Sequence, residues 1–432
     1  MSHSDSSKSG AATPMPQRKG FAALELDMRL IGMIGALLVI WVVFATFTDG
    51  RFLTPRNMFN LTIQTASVAI MATGMVFVIV TRHIDLSVGS LLGVTSALMA
   101  MLQTRYLPDL VGLGSPLVWI IAILCGIAFG TAIGAFQGWL VGYLTIPSFI
   151  VTLGGLLVWR NVGWRMTDGQ TIGPLDPTFQ IFGGINGTMG EMWSWIIGIA
   201  LTVLALVMLV QSRRTKASHG FPVKPLWAEA AVAAIFTAAI VGFVWVLNTY
   251  QVPTARLSRQ FEARGEVMPE GLEQGYGIPI SVLLLIGIAI VMTIIARRTR
   301  LGRYIFATGG NPDAAELSGI NTKLLTVKVF AIMGALCAIS AVVASARLTN
   351  HTNDIGTLDE LRVIAAAVIG GTALAGGMGT IYGAILGALI MQSLQSGMAM
   401  VGVDAPDQNI VVGVVLVLAV FVDIIYRRRA GL

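Results

Sequence analysis

Charge is what this sequence has least of. Of its 432 residues only 12% are Asp, Glu, Lys or Arg, against roughly a quarter in a soluble domain. With 55% hydrophobic residues and a mean hydropathy of +0.79, no water-soluble fold could bury the apolar surface. Histidine is nearly absent too: His3, His83, His219 and His351 have no metal-ligand spacing, so no metal site is expected. There is no HExxH, GxSxG or CxxC, which removes the constellations a membrane-embedded enzyme would need. The two cysteines, Cys125 and Cys337, lie inside apolar runs and are expected to pack as small buried side chains rather than form a disulfide framework. The Gly-rich run 370–380 lacks the Lys-Ser/Thr of a phosphate loop, so the chain binds no nucleotide cofactor and does not hydrolyse ATP by itself. The net charge of +6 is scattered through short connections and forms no stripe, which argues against nucleic acid.

What the chain has is long apolar runs. A helix needs about 20 apolar residues to cross the hydrocarbon core. Runs at 28–48, 57–81, 86–103, 116–142, 147–166, 192–211, 227–248, 278–296, 324–345, 358–376, 379–401 and 408–426 predict an all-α, polytopic bundle of about twelve spans. Residues 1–26, rich in Ser, Gly, Pro and Lys and without an apolar signal region, read as a disordered cytoplasmic tail ahead of a transmembrane domain over 27–432. Charge tests the count. The connections 212–226 and 297–323 and the end of the chain hold Arg213, Arg214, Lys216, Lys224, Arg297, Arg298, Arg300, Arg303, Lys323 and Arg427 to Arg429, whereas the alternate connections are neutral to acidic. The positive-inside rule then places both termini in the cytoplasm. Segments 147–166 and 358–376 carry charges and glycines that fit half-helices or re-entrant turns as well as spans.

Within the spans, polarity is mostly uncharged: Asn57, Asn60, Gln64, Gln137, Asn161, Gln392 and Gln395 suit hydrogen bonding to a neutral hydroxylated solute, or gluing helices together. Mid-membrane carboxylates, which an ion-coupled carrier would keep, are missing from the span centres. Glycines recur every fourth residue at 126, 130, 134, 138 and 142, and again at 379, 383 and 387, so each set lines one helix face. Two internal pairings compete. The breaks around Asp85 and Gly376 fall on one side of the membrane, whereas FQGWL (136–140) and LQSGM (394–398) fall on opposite sides.

The connection 297–323 concentrates helix-terminus chemistry. Gly309 and Gly310 break the chain, Asn311 caps a helix, Pro312 fits its first position, and Asp313 sits at the positive end of the dipole. Glu316 continues the helix to Ser318, and Gly319 closes it. A short capped helix on the cytoplasmic face is a docking device.

Four stretches, TRHIDLSVGS (81–90), FQGWLVGYLTIPSFIVTLGGLLVWR (136–160), GRYIFATGGNPDAAELSGI (302–320) and IAAAVIGGTALAGGMGTIYGAILGALI (364–390), resemble the sugar permeases of bacterial ABC importers, the ribose, galactose and xylose group. The resemblance implies a multi-pass inner-membrane transport subunit with a ten-helix core. It implies 309–320 as the coupling helix seated on a partner ATPase, which holds the ATP and magnesium. It also implies a periplasmic sugar-binding protein, a second permease copy, and a monosaccharide substrate, with xylose preferred. Residues 192–277 read as a two-helix insertion of the kind the xylose permeases carry. A stand-alone ion-coupled sugar carrier is the alternative reading.

Overall fold

The computed structural model describes residues 28–430 apart from 222, 224 and 264, so the tail 1–26 and Lys224 lie outside the described residues. In chain order the helices are α1 (Met28–Phe47), α2 (Pro55–Val80), α3 (Val88–Met101), α4 (Leu107–Val111), α5 (Leu117–Gly142), α6 (Ser148–Thr167), α7 (Gly190–Ser218) and α8 (Leu226–Thr249). Then follow α9 (Thr254–Ala263), α10 (Ile280–Arg298), α11 (Arg300–Gly310), α12 (Pro312–Leu317), α13 (Thr322–Leu348), α14 (Asp359–Ile369), α15 (Ile381–Met400) and α16 (Ala405–Ala430). Among the described residues eight helices (α1, α2, α5, α7, α8, α10, α13 and α15) are long and apolar enough to cross a bilayer. The chain is a multi-pass helical membrane protein. Following chain direction, both described ends lie on the same side as α12.

Of the twelve expected spans eight are these helices, while 86–103, 147–166, 358–376 and 408–426 form helices outside that set. The run 358–376 is not a full span: α14 stops at Ile369 after 11 residues, about 16 Å of rise, half a hydrocarbon core. Gly370 and Gly371, the latter at φ 84°, turn the chain out of the helix before the apolar run ends. The run 86–103 is longer than expected, because α3 continues through one π turn at Leu102–Tyr106 into α4. Segment 147–166, by contrast, is an unbroken 20-residue helix.

α2 is the centre of the bundle, buried on every face from Ala69 to Val80. It packs on α13, α15, α14 and α10. The remaining contacts show an inverted repeat. Exchanging α2 for α13, α3 for α14, α5 for α15 and α6 for α16 turns each observed packing into another observed one: α13 on α5 becomes α2 on α15, α13 on α3 becomes α2 on α14, and α3 on α6 becomes α14 on α16. α2 runs toward the α12 side and α13 away from it, so the halves have opposite orientation. Of the two pairings in the sequence, FQGWL with LQSGM therefore obeys the repeat, since α5 and α15 are exchanged. The breaks at Asp85 and Gly376 are not repeat mates; they are neighbours, joined by the Gly377 amide donating to the Val80 carbonyl at 3.0 Å.

The glycine stripe of α5 meets the backbone of α13. A Cβ at Gly130 would lie 2.6 Å from the Gly334 carbonyl oxygen, and one at Gly142 2.6 Å from that of Lys323. Helices this close exclude lipid and side chains from their seam. Cys337 is buried in this core as expected, but Cys125 faces outward on α5, because the small residues of that helix turn the opposite side to α13.

The helices α7 and α8 pack mainly on each other. Their link to the core is a separate cluster in which Phe59 of α2 meets Tyr250 and Tyr276 at centroid distances of 5.1 and 5.2 Å.

Candidate functional site

Two regions bring together the residues singled out in the sequence. The first is a backbone junction on the α12 side. α11 is anchored at its start by Thr299, whose hydroxyl accepts from the Gly302 amide at 3.2 Å. It runs helical through Gly309 and Gly310, so these two glycines end the helix rather than break the chain before it. Gly309 is buried against the Val80 carbonyl and the Gly377 amide, where a Cβ would collide with the Val80 oxygen. Arg82, itself in the left-handed region at φ 65°, ties the junction together. Its Nε donates to the Gly309 carbonyl at 2.9 Å and its Nη2 to that of Gly310 at 2.8 Å. Such charge-assisted bonds are the stronger kind.

From this junction α12 projects. Asn311 caps it, Oδ1 accepting from the Ala314 amide at 3.0 Å, and Ser318 closes it with Oγ donating to the Ala314 carbonyl at 2.7 Å. Gly319 follows at φ 83°. The helix spans six residues, shorter than the expected 309–320, because Asn311 is extended and separates it from α11. Asn311, Asp313, Glu316, Ser318 and Gly319 are all exposed and only Ala315 is buried. Leu317, at 90% exposure, is an apolar tip held in water.

The second region is a cavity of about 510 Å³ on the opposite side, between the outer halves of α2, α13, α14 and α15, a size typical of small-molecule sites (about 300–1,000 Å³). Gln64, Gln392 and Gln395 line it, and Gln392 Nε2 donates to Gln64 Oε1 at 2.8 Å. Asn57 stands just beyond, its Nδ2 given to the Phe52 carbonyl at 2.7 Å and its Oδ1 accepting from Ser396, another lining residue, at 3.3 Å. Asn60 is half-buried one turn from Gln64 on α2. The remaining two are elsewhere. Gln137 is 2% exposed on α5 near the α12 side, where Ser87 Oγ donates to its Oε1 at 3.1 Å. Asn161 is exposed on α6, bonded to the Leu157 carbonyl of its own helix at 2.7 Å.

The cavity wall is not uncharged. Asp359 and Arg362, one turn apart on α14 and paired at 3.0 Å, line it together with Arg347 from the end of α13. In the sequence Asp359 and Arg362 point to a half-helix or re-entrant turn over 358–376, not to a cavity wall. The signal was the run DELR ahead of an apolar stretch, which a short helix buried by its neighbours brings to membrane depth. Leu358, just before α14, is held at φ 61°, a conformation rare for a bulky residue and characteristic of constrained sites. Among the described residues no group of His, Cys, Asp and Glu could hold a metal ion.

This arrangement does no bond chemistry. It offers a partly polar cavity on one side, the buried helix α2 beneath it, and a short exposed helix on the other side. Known proteins resemble the sequence over nearly the whole chain. It is 37% identical over 429 residues to the xylose transport system permease protein of Escherichia coli K12, covering 99% of this chain and 100% of the relative. It is 36% identical over 410 residues to its namesake in Haemophilus influenzae, covering 95% and 100%. To the ribose import permease protein of Escherichia coli K12 it is 32% identical over 388 residues, covering 90% and 91%. No solved structure matches. A family model matches residues 57–420, which takes in both the junction and the cavity, and the chain therefore belongs to the family described as the branched-chain amino acid transport system permease component.

Proposed function

We propose that this chain is the membrane-spanning permease of an ATP-driven importer that carries D-xylose across the bacterial inner membrane by alternating access. The observation that carries the reading is the pairing of an exposed, capped helix, α12, with a glycine junction that joins it without slack to α2 and to the turn before α15. A carrier driven by an ion gradient has no use for such a lever, and the family match argues against that alternative as well. The basic residues of the α12 side make that side cytoplasmic, with both termini there. The ATPase, which holds the ATP and magnesium, docks on Asp313, Glu316, Leu317 and Ser318. The exposed carboxylates seek basic partners, and Leu317 seeks an apolar pocket. A periplasmic binding protein delivers sugar at the opposite face, where α9 and the cavity lie, and a second permease copy completes the path. The extra pair α7 and α8, within 192–277, flanks this core.

Xylose is preferred because the full-length relatives at 36 and 37% identity are named for it. The family description names branched-chain amino acids; the names of the full-length relatives decide for the sugar, since the cavity wall mixes glutamines, serines and threonines with Val68, Leu348 and Ile355. The deciding experiment is reconstitution in proteoliposomes. Xylose uptake should require the ATPase, ATP and the binding protein together. Uptake by this chain alone under an ion gradient would sink the reading, and uptake of leucine in place of xylose would overturn the substrate.

A further inference from the structure

Two cavities on the α12 side belong to neither region above. One, of about 470 Å³, is an apolar groove between α1, α14, α15 and α16. Its α1 wall is Arg29, Gly32, Met33, Ala36 and Ile40, one face of the helix. From Arg29 to Ile40 that wall rises about 16 Å, the depth of one leaflet of hydrocarbon. The other cavity, about 340 Å³, continues from it past the same Arg29, Met33 and Gly371 and is lined by Thr380 and Tyr382. Its wall is mostly apolar and glycine backbone, with Arg29 as its cation and Thr380 and Tyr382 as hydroxyls. The Arg29 guanidinium, which donates to the Gly371 carbonyl at 3.2 Å, stands where the two cavities meet. Exposed Arg297 lies over the Tyr382 ring at 6.0 Å.

An apolar slot one leaflet deep, open to the bilayer and crowned by arginine, fits one kind of molecule. We infer that this groove binds an anionic phospholipid of the leaflet on the α12 side, with an acyl chain along α1 and the phosphate between Arg29 and Arg297. The headgroup end abuts the turn 370–380, whose Gly376 and Gly377 pack on Gly309 and Gly310, so the lipid sits against the backbone that carries α12. The inference is independent of which sugar is carried.

The test is native mass spectrometry of the purified full-length chain titrated with phosphatidylglycerol or phosphatidylcholine. Wild type should retain phosphatidylglycerol in preference to phosphatidylcholine. Arg29→Gln should weaken phosphatidylglycerol binding about fivefold, the worth of one arginine at an anionic surface, and leave phosphatidylcholine unchanged; Arg29→Lys should restore most of the preference. Gly32→Phe should reduce both lipids. Position 32 has no atom within 4 Å of a built Cβ, so the ring fills the groove without disturbing the fold. Equal retention of the two lipids by wild type, or an unaltered Arg29→Gln, overturns the proposal. So does a wild type that binds no lipid together with an Ala36→Cys variant that cross-links to a second copy, because that copy would then occupy the groove.

Discussion

The junction at Gly309 and the cavity at Gln392 are built on opposite plans. At the junction, three chain segments meet backbone to backbone, and only glycine fits where Gly309 faces the Val80 carbonyl. At the cavity, side chains face each other across open space, and the amides of Gln64 and Gln392 are held by a single bond. The first plan suits transmission of a displacement, because atoms already in contact cannot absorb it. The second suits a passing solute, because hydrogen bonds between side chains exchange readily for bonds to hydroxyls or water. One bundle thus keeps its stiff contacts and its adaptable ones at opposite faces.

Substitutions can break or sharpen that contrast. The largest effect is expected for Gly309→Val. Forcing a branched side chain against Val80 costs about 1–3 kcal/mol of strain, a roughly ten- to hundredfold loss of xylose uptake and of sugar-stimulated ATP hydrolysis in the reconstituted complex. Unchanged stimulation would mean the junction is no lever. Next comes Arg82→Ala, which removes two charge-assisted bonds from the Gly309 and Gly310 carbonyls. Because Arg82 is exposed and water takes over its partners, the two bonds together are worth about 1.4 kcal/mol net, so the ratio of sugar moved to ATP hydrolysed should fall about tenfold while basal hydrolysis continues. At the cavity the effects should be smaller and confined to the solute. Gln392→Ala, losing a net bond of about 1 kcal/mol, should raise the half-saturating sugar concentration about fivefold without uncoupling ATP hydrolysis; an effect on coupling would erase the distinction between the two regions. The smallest is expected for Glu229→Gln, which opens the ion pair of Arg213 and Glu229 between α7 and α8. That partly exposed pair is worth under about 1 kcal/mol, and transport assays should not register its loss if the added helices stand outside the lever and the path.

Much of this was legible in the sequence, and unevenly so. Apolar runs longer than a bilayer is thick reveal themselves, and the caps Asn311 and Gly319 sit where capping chemistry puts them. At 358–376 length alone gave a span, whereas the charges and glycines there gave the half-helix that α14 is, ending before Gly370 and Gly371. Gly309 and Gly310 looked like a break because glycine is a poor helix former; contact with Val80 demands glycine at 309 inside a helix instead, while nothing crowds a Cβ at Gly310. The seven polar residues were equivalent by type, and only three-dimensional pairing separates Gln392, joined to Gln64 across 328 positions, from Gln137, its neighbour Ser87 already supplied. Charges at the cavity escaped because Asp359 and Arg362 read as a helix end, which they are, but one that lies inside the protein.

The backbone contact between α5 and α13 has a mechanical consequence. A lone helix flexes under a sideways load, whereas two that touch over several turns bend as one thicker rod. α13 begins at Thr322, directly after α12, and its 27 residues carry it about 40 Å to Ala344, Arg347 and Leu348 in the wall of the outer cavity. Braced by α5 from Gly130 to Gly142, this strut would, in the proposed mechanism, carry a push made on α12 to the opposite face with little lost to flexure.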